Sequence, residues 1–259
     1  MSTPGVMDIP SVKDQVSEEE WQARVDLAAA YRMCAHYGWD DLIYTHLSAR
    51  VPGGDHHFLI NPLGLMFEEM TASSLIKVDL SGKALMETPF IPNAAGFVIH
   101  SAIHAAREDA GCVIHLHTDY GIAVSNLASG LEPLCQSSIP PHSTIAYHDY
   151  EGFAVNDGEQ ERLVTDIGDA RALILRNHGT LTVGETIPQA FELMFFLEKA
   201  CKTQILTRAT GMPLYAPSEE SMSNAIRDVQ VVAGARGADN FVWPAILRKL
   251  DRADTSYRT

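Results

Sequence analysis

The sequence predicts an α/β protein in which helices cover a largely antiparallel central sheet. Three observations lead to this fold class. Helix-type and strand-type hydrophobic patterns alternate along the chain, several short strand patterns follow one another directly between residues 42 and 80, and there is no internal repeat. A doubly wound parallel sheet is the competing fold, but its strands are separated by helices. The consecutive short strands therefore favour the antiparallel arrangement.

The first predicted helix begins after Ser17 and extends to about His36. Ser17 followed by Glu20 is the pattern of a capping box, in which each side chain accepts the backbone N–H of the other residue. Apolar residues then recur every three or four positions, as in an amphipathic helix. Gly38 is suited to end the helix because glycine adopts the left-handed conformation easily.

Short strands separated by turns come next. We expect strands over residues 42–51, 58–61 and 76–80. The first two are joined by Pro52-Gly53-Gly54-Asp55, which is typical of a hairpin turn. Asn93 is the expected N-cap of a helix over residues 94–106.

Strands and helices alternate more regularly in the second half of the chain. The predicted strands cover residues 112–117, 144–148, 172–175 and 180–183. The predicted helices cover residues 120–128, 159–166 and 187–209. Pro188 fits the first turn of the last helix, where proline is tolerated.

The chain is expected to have one main domain. Residues 1–16 are predicted to form a flexible N-terminal arm and residues 17–212 the domain itself. Residues 213–259 are predicted to be an extension that packs on the domain or on a neighbouring subunit.

Composition disfavours several classes of function. Of the 259 residues, 46% are hydrophobic and 20% are charged, and 19 Lys and Arg against 33 Asp and Glu give a formal net charge of −14. Such acidity disfavours binding to nucleic acid or to anionic membranes. No apolar run approaches the roughly 20 residues of a spanning helix, and no signal-peptide pattern is present. The four scattered cysteines, without a CxxC pair, fit a reducing cytoplasm.

The eleven histidines are the unusual feature of the composition. His115 and His117 flank Leu116 on a predicted strand, so their imidazoles project from the same face. His178 follows another predicted strand and precedes Gly179, which places it at a strand end. Three imidazoles at two strand ends fit a catalytic divalent-metal site with an open coordination position. The alternative is that they are hydrogen-bonded core and turn histidines.

Several short motifs carry a resemblance to a known family. They are Thr45-His46-Leu47-Ser48-Ala49-Arg50, Ile60-Asn61-Pro62-Leu63-Gly64, Gly96-Phe97-Val98-Ile99-His100, Ile114-His115-Leu116-His117-Thr118, Ala146-Tyr147-His148-Asp149-Tyr150 and Arg176-Asn177-His178-Gly179. In order and spacing, over about residues 20–210, they resemble the class II aldolase/adducin family.

The resemblance implies a three-layer α/β/α sandwich with a central, mainly antiparallel sheet. It also implies a divalent metal held by His115, His117 and His178. Zinc is the usual metal, with manganese and iron as alternatives. A small-molecule substrate and a homotetramer with active sites at subunit interfaces are further implications of the family.

The sequence departs from the sugar-phosphate aldolases of this family. The fuculose-phosphate type has a glutamate base 19 residues before the first ligand histidine, and the corresponding residue here is Gly96. His46 stands at the asparagine position of the phosphate-binding Gly-Asn-x-Ser motif, and Asn93-Ala94-Ala95 replaces a Ser-Ser pair. These departures resemble the adducin-like bacterial branch, and we expect a substrate without a phosphate group.

Other residues must then supply the acid–base function. His46 is the first candidate because the matching family position lines the substrate pocket. His100 is the second candidate because it lies one turn after Gly96, on the helix expected to face the strand of His115 and His117. Tyr147 is the third candidate, as a proton donor. Each of the three could instead be a packing residue. Asp119 follows the histidine strand and could orient a ligand histidine.

The leading hypothesis is a divalent-metal-dependent carbon–carbon lyase of the retro-aldol type. Its substrate would be a small, non-phosphorylated hydroxy-carbonyl or aromatic compound. A metal-dependent decarboxylase of a hydroxyaromatic acid is the second hypothesis, since both reactions need an electrophile that stabilises negative charge. A non-catalytic, adducin-like assembly module is the third, and three convergent histidines argue against it.

Overall fold

A seven-stranded sheet forms the centre of the structure, a computed structural model that describes residues 9–53, 56–152, 157–215 and 217–259. For residues 94–97, 157 and 230–236 it describes the backbone alone. The strands are β1 (His46–Arg50), β2 (Phe58–Ile60), β3 (Ile76–Val78), β4 (Cys112–Leu116), β5 (Ile145–His148), β6 (Ala172–Leu175) and β7 (Gly179–Gly184). Their order is β3-β2-β1-β4-β7-β6-β5, and β5 with β6 is the parallel pair in an otherwise antiparallel sheet. The predicted fold class is confirmed.

Helices cover both faces of this sheet. They are α1 (Glu18–Tyr37), α2 (Ala94–Ala106), α3 (Asp119–Ser125), α4 (Ile139–His142), α5 (Asp157–Ile167), α6 (Ile187–Ala209), α7 (Glu219–Arg236) and α8 (Val242–Ala253). One core joins α1 and α6 to the sheet, and a second core joins α2 and α5 to it. Within the described part of the chain, no helix is both long and apolar enough to cross a membrane.

Alternation along β4 shows how the two cores are separated. Ile114 and Leu116 belong to the core under α1 and α6, whereas Val113 belongs to the core under α2 and α5. All five residues of the strand are buried. His115 is two residues after Val113, so it faces α2 and α5. The three-layer sandwich thus places the histidine strand beneath α2.

The start of α1 differs from the predicted capping box. Ser17 Oγ accepts the backbone N–H of Glu20 at 3.2 Å, as expected. The Glu20 carboxylate does not reach back to Ser17; it accepts from Arg24 Nε at 3.0 Å and Lys77 Nζ at 2.8 Å. Arg24 is buried and also donates to two carbonyl oxygens of residues 72–75. This buried ion pair ties α1 to the segment before β3.

The strand predicted over residues 42–51 is shorter in the structure, since β1 begins at His46. Leu42 has a φ of 50°, a left-handed conformation that cannot continue a strand. Gly54 and Asp55 of the predicted turn lie outside the described residues. The hairpin itself is confirmed by the antiparallel pairing of β1 with β2.

Both ends of the described chain pack on the domain. Ile9 and Val12 contact the core under α1 and α6, so the predicted flexible arm is packed from residue 9 onward. Residues 1–8 lie outside the described residues. At the other end, Trp243 is buried in the same core and donates its Nε1–H to Asp26 of α1 at 2.8 Å. The C-terminal extension therefore covers α1.

Arg24→Met should destabilise the fold by about 3–5 kcal/mol, because breaking a buried ion pair leaves charged and polar groups short of partners. Arg24→Lys should recover only part of this loss, since an ammonium lacks the planar fork of donors. Chemical denaturation measures both. The control Arg252→Met removes an exposed arginine of α8 and should change the free energy of unfolding by less than about 0.5 kcal/mol. Equal losses in Arg24→Met and Arg252→Met would contradict this assignment.

Candidate functional site

Three histidine side chains converge at one end of the sheet. His115 lies on β4, His117 follows it, and His178 lies in the turn between β6 and β7. Nε2 of His117 is 3.0 Å from Nε2 of His115 and 2.9 Å from Nε2 of His178. The three possible ligand atoms all lie within 4.8 Å of one another. The structure thus brings together the three histidines that were singled out as metal ligands.

The turn that carries His178 depends on its two neighbours. Asn177 has a φ of 56°, a left-handed conformation that asparagine tolerates better than most residues. At Gly179, an added Cβ would lie 2.4 Å from the backbone oxygen of Leu116, so a side chain there would push β7 away from β4. The Asn-His-Gly run therefore holds His178 against His117.

Hydrogen bonds at Nδ1 orient two of these rings. Nδ1 of His115 donates to the carbonyl oxygen of Thr180 at 3.0 Å, and Nδ1 of His117 donates to the Asp41 carboxylate at 3.0 Å. Because a carbonyl and a carboxylate accept rather than donate, each of these two Nδ1 atoms carries a proton. Nε2 is then the nitrogen of each ring that can bind a metal. Asp41, rather than the predicted Asp119, is the orienting carboxylate.

The resulting arrangement of lone pairs suits a cation. The Nε2 atoms of His115 and His117, which are the nitrogens that do not donate to Thr180 or Asp41, are 3.0 Å apart. Burial holds the pKa of His115 well below its usual value and lowers the pKa of His178 to about 4. Nitrogens about 2.1 Å from one tetrahedral zinc ion lie roughly 3.4 Å apart. The donor set therefore fits a divalent ion.

His46 and His100 lie beside these three histidines. His46 on β1 is paired with His115 in the sheet register, and the two ring centroids are 5.2 Å apart. Nδ1 of His46 is 2.9 Å from Nε2 of His100 on α2. Burial holds the pKa of both imidazoles well below the usual value. Two of the three predicted acid–base residues are therefore next to the histidine cluster.

Tyr147 lies on the other face of the sheet. It packs with Ile145 against the core under α1 and α6, and its ring lies 4.3 Å from the Arg176 guanidinium. Its hydroxyl accepts the backbone N–H of Leu131 at 3.2 Å. Alternation along β5 turns Tyr147 away from α2 and α5. Within this chain the structure does not bring Tyr147 to the three histidines, and its role as a proton donor stays a prediction.

Three other residues contact the site without having been assigned a role from the sequence. Asp41 binds His117, whereas Ser48 and His104 are hydrogen-bonded beside His100. Sequence periodicity contains a signal for two of them, since Ser48 is two residues after His46 on a strand and His104 is one helical turn after His100. Asp41 is 76 residues from His117, and no local pattern connects them.

Comparisons with known proteins agree with the fold and the motifs. The family described as "Class II Aldolase and Adducin N-terminal domain" matches residues 25–205. A putative aldolase class 2 protein of Caulobacter vibrioides is 52% identical over 253 residues, which cover 98% of each chain.

Two solved structures extend the comparison. An aldolase II superfamily protein from Pseudomonas syringae has a TM-score of 0.92 at 47% identity, covering 96% of this chain and 100% of that one. An L-fuculose 1-phosphate aldolase from Glaciozyma antarctica PI12 has a TM-score of 0.80 at 32% identity, covering 97% of each chain. The family match and these similarities along nearly the whole chain confirm the resemblance, and this chain belongs to the class II aldolase and adducin family.

Proposed function

We propose that this chain is a divalent-metal-dependent carbon–carbon lyase with His115, His117 and His178 as its metal ligands. The observation that carries the proposal is the convergence of three Nε2 atoms, with that of His117 3.0 Å from that of His115 and 2.9 Å from that of His178. The acceptors Thr180 and Asp41 hold two of these rings in the tautomer that a metal requires. The similarity to an L-fuculose 1-phosphate aldolase supports carbon–carbon bond cleavage as the reaction class.

The proposed chemistry is a retro-aldol cleavage. His115, His117 and His178 would hold a divalent ion, zinc above all, which would supply a Lewis acid for the carbonyl oxygen of a hydroxy-carbonyl substrate. His46 accepts the proton of the substrate hydroxyl, and the O–H electron pair becomes the new carbonyl bond. The carbon–carbon bond breaks, its electron pair passes to the carbonyl-bearing fragment, and that fragment is then protonated. His100 holds the ring of His46 during these steps.

The substrate is proposed to lack a phosphate group. Gly96 has no side chain at the position where the fuculose-phosphate type carries its glutamate base. The side chains that contact the ligands include the His46 imidazole, whose pKa burial holds well below its usual value, and the Asp41 carboxylate. Neither of these groups attracts a phosphate dianion. The net charge of −14 also disfavours it.

Decarboxylation of a hydroxyaromatic acid is the second candidate reaction. It uses the same electrophile, and Gly96 brings no protein carboxylate to repel that of the substrate. An adducin-like assembly role accounts less well for the site, because assembly requires neither three convergent imidazoles nor acceptors that fix their tautomers.

We also propose a homotetramer. Leu42 and Tyr44 lie in the segment directly after Asp41, and 61% and 60% of their surfaces are exposed. Large apolar side chains exposed together are typical of protein interfaces. Because every chain carries a charge of −14, association has to bury apolar surface against repulsion. This surface would place the site near a subunit boundary.

His115→Ala should abolish stoichiometric metal binding, because it removes one of three ligands. Metal content per chain is measured by mass spectrometry after incubation with zinc, manganese or iron and gel filtration. The control His36→Ala removes an exposed histidine at the end of α1 and should bind as much metal as the wild type. Equal metal contents in the two variants would refute the ligand assignment.

The metal-loaded protein should cleave a non-phosphorylated hydroxy-carbonyl compound or decarboxylate a hydroxyaromatic acid with a higher kcat/KM than it shows for L-fuculose 1-phosphate. Loss of a positioned general base typically costs about 10²–10⁴-fold in rate, so activity on the sugar phosphate should be weak. A panel of the three compound classes, assayed at one metal occupancy, decides between them. A sugar phosphate as the best substrate would overturn the proposal.

Light scattering should give a mass four times that of the chain at micromolar concentration. The variant Leu42→Asn with Tyr44→Ser should give a smaller mass, because it removes apolar contact while asparagine tolerates the left-handed backbone of residue 42. A wild-type monomer would contradict the assembly. Unchanged mass in the double variant would place the interface elsewhere.

A further inference from the structure

A chain of hydrogen bonds leads from His46 into the protein interior. Nδ1 of His46 is 2.9 Å from Nε2 of His100, whose Nδ1 is 2.5 Å from Oγ of Ser48. The same oxygen is 2.7 Å from Nε2 of His104, and Nδ1 of His104 is 2.9 Å from the carbonyl oxygen of Ala110. All four side chains are buried. Water therefore does not compete for these donors and acceptors.

The carbonyl oxygen of Ala110 sets the direction of the hydrogen bonds among His104, Ser48 and His100. A carbonyl oxygen only accepts, so His104 carries a proton on Nδ1. Burial lowers the pKa of His104 to about 4, so at neutral pH its Nε2 is bare. The Ser48 hydroxyl must then donate to that nitrogen. Having used its proton, the Ser48 oxygen accepts from Nδ1 of His100.

The same reasoning extends to His46. Burial holds the pKa of His100 well below its usual value, so a ring with its proton on Nδ1 has a bare Nε2. His46 must therefore donate its Nδ1–H to His100. Nε2 of His46 makes no hydrogen bond to any described residue, and it is the nitrogen left free for another partner.

We propose that Ser48 and His104 are positioning residues that hold His46 and His100 in the Nδ1–H tautomer, with the Ala110 carbonyl as the fixed end. His46 then offers the Nε2 lone pair to a substrate proton. The catalytic consequence rests on the function proposed above, whereas the tautomers follow from the hydrogen bonds alone. Neither Ser48 nor His104 touches the substrate.

The direction of these hydrogen bonds matters because a neutral imidazole has two tautomers. Only the tautomer with a bare Nε2 lets His46 accept a proton from the substrate. If the direction of the bonds were reversed, the neutral ring of His46 would carry its proton on Nε2. That nitrogen would then have no lone pair to accept the substrate proton. In the proposed direction, the substrate O–H bond breaks and its proton binds Nε2 of His46. Nδ1–H stays bonded to His100, and the proton on Nε2 is available to protonate the carbonyl-bearing fragment.

Ring ¹⁵N chemical shifts test this directly in zinc-incubated protein labelled with [¹⁵N]histidine, since protonated and bare ring nitrogens have very different shifts. Spectra of single histidine substitutions assign the signals. We expect His46, His100 and His104 each to show a protonated Nδ1 and a bare Nε2. A protonated Nε2 on any of the three in the wild-type protein would overturn the proposal, whatever its variants do.

Two variants interrupt this series of hydrogen bonds near the Ala110 carbonyl. His104→Phe keeps a ring to pack on Phe58, whose ring centroid lies 5.0 Å from that of His104, but frees the Ser48 hydroxyl to donate to His100. Ser48→Ala removes the link itself. In both we expect protonated Nε2 signals on His46 and a fall in kcat of about 10²-fold or more, with KM and metal content unchanged. Ser48→Thr keeps the hydroxyl and should retain the wild-type tautomers and most of kcat.

The outcomes separate this proposal from the proposed function. Unchanged His46 and His100 tautomers in both Ser48→Ala and His104→Phe would overturn the positioning role. If the wild-type protein binds no metal or cleaves none of the compounds, the proposed function fails while the ¹⁵N shifts still report the tautomers. A loss of folding in either variant would be seen by denaturation, and the wild-type spectrum would then decide.

Discussion

A buried imidazole must satisfy both of its nitrogens, and this constraint organises the centre of the molecule. Desolvation disfavours the charged ring and holds the pKa of four buried histidines below the usual value. These rings, His46, His100, His104 and His115, are therefore neutral, each with one donor and one acceptor nitrogen. Thr180 and Asp41 take the donor of His115 and His117, and Ala110 takes that of His104. In each ring the donor side is occupied by the protein. The acceptor side is left for a metal, a neighbouring group or a substrate.

The sheet supplies this arrangement because its central strands are buried on both faces. β4 lies between β1 and β7, so His46 is registered against His115, while the carbonyl oxygen of Thr180 on β7 lies within reach of the ring of His115. α2 packs over the same face and contributes His100 and His104 one helical turn apart. A sheet with solvent on that face would hydrate these rings, and neither the tautomers nor the close approach of the nitrogens would be maintained.

Strand and helix periodicity predicted from the sequence where the three proposed ligand histidines lie. Alternation alone placed His115 and His117 on one face, and the position of His178 at a strand end was correct because the left-handed Asn177 and the close approach at Gly179 fix that turn. Tyr147 lies on the opposite face from His115 within this chain, and a short strand pattern does not tell which face packs on which helices.

The other differences from the predictions have a common physical origin in long-range pairing. Glu20 was expected to cap its own helix but is buried against Arg24 and Lys77, because a carboxylate away from water gains more from two cations than from one N–H. Asp41 reaches His117 because Leu42 turns the chain. Neither the Glu20–Lys77 ion pair across 57 residues nor the Asp41–His117 contact across 76 residues has a local sequence pattern.

The change of base that we propose from Gly96 would account for a histidine relay at this position. A carboxylate base has two equivalent oxygens and only accepts when ionised, so it needs no control of tautomer. An imidazole has one bare nitrogen, and in half of its tautomeric states that nitrogen faces the wrong way. A base of this kind is effective only if the protein fixes the proton on the other nitrogen. As the proposed base, His46 would therefore depend on its hydrogen-bond partners. The carbonyl oxygen of Ala110 can only accept, and this fixes the direction of the bonds through His104, Ser48 and His100 to His46.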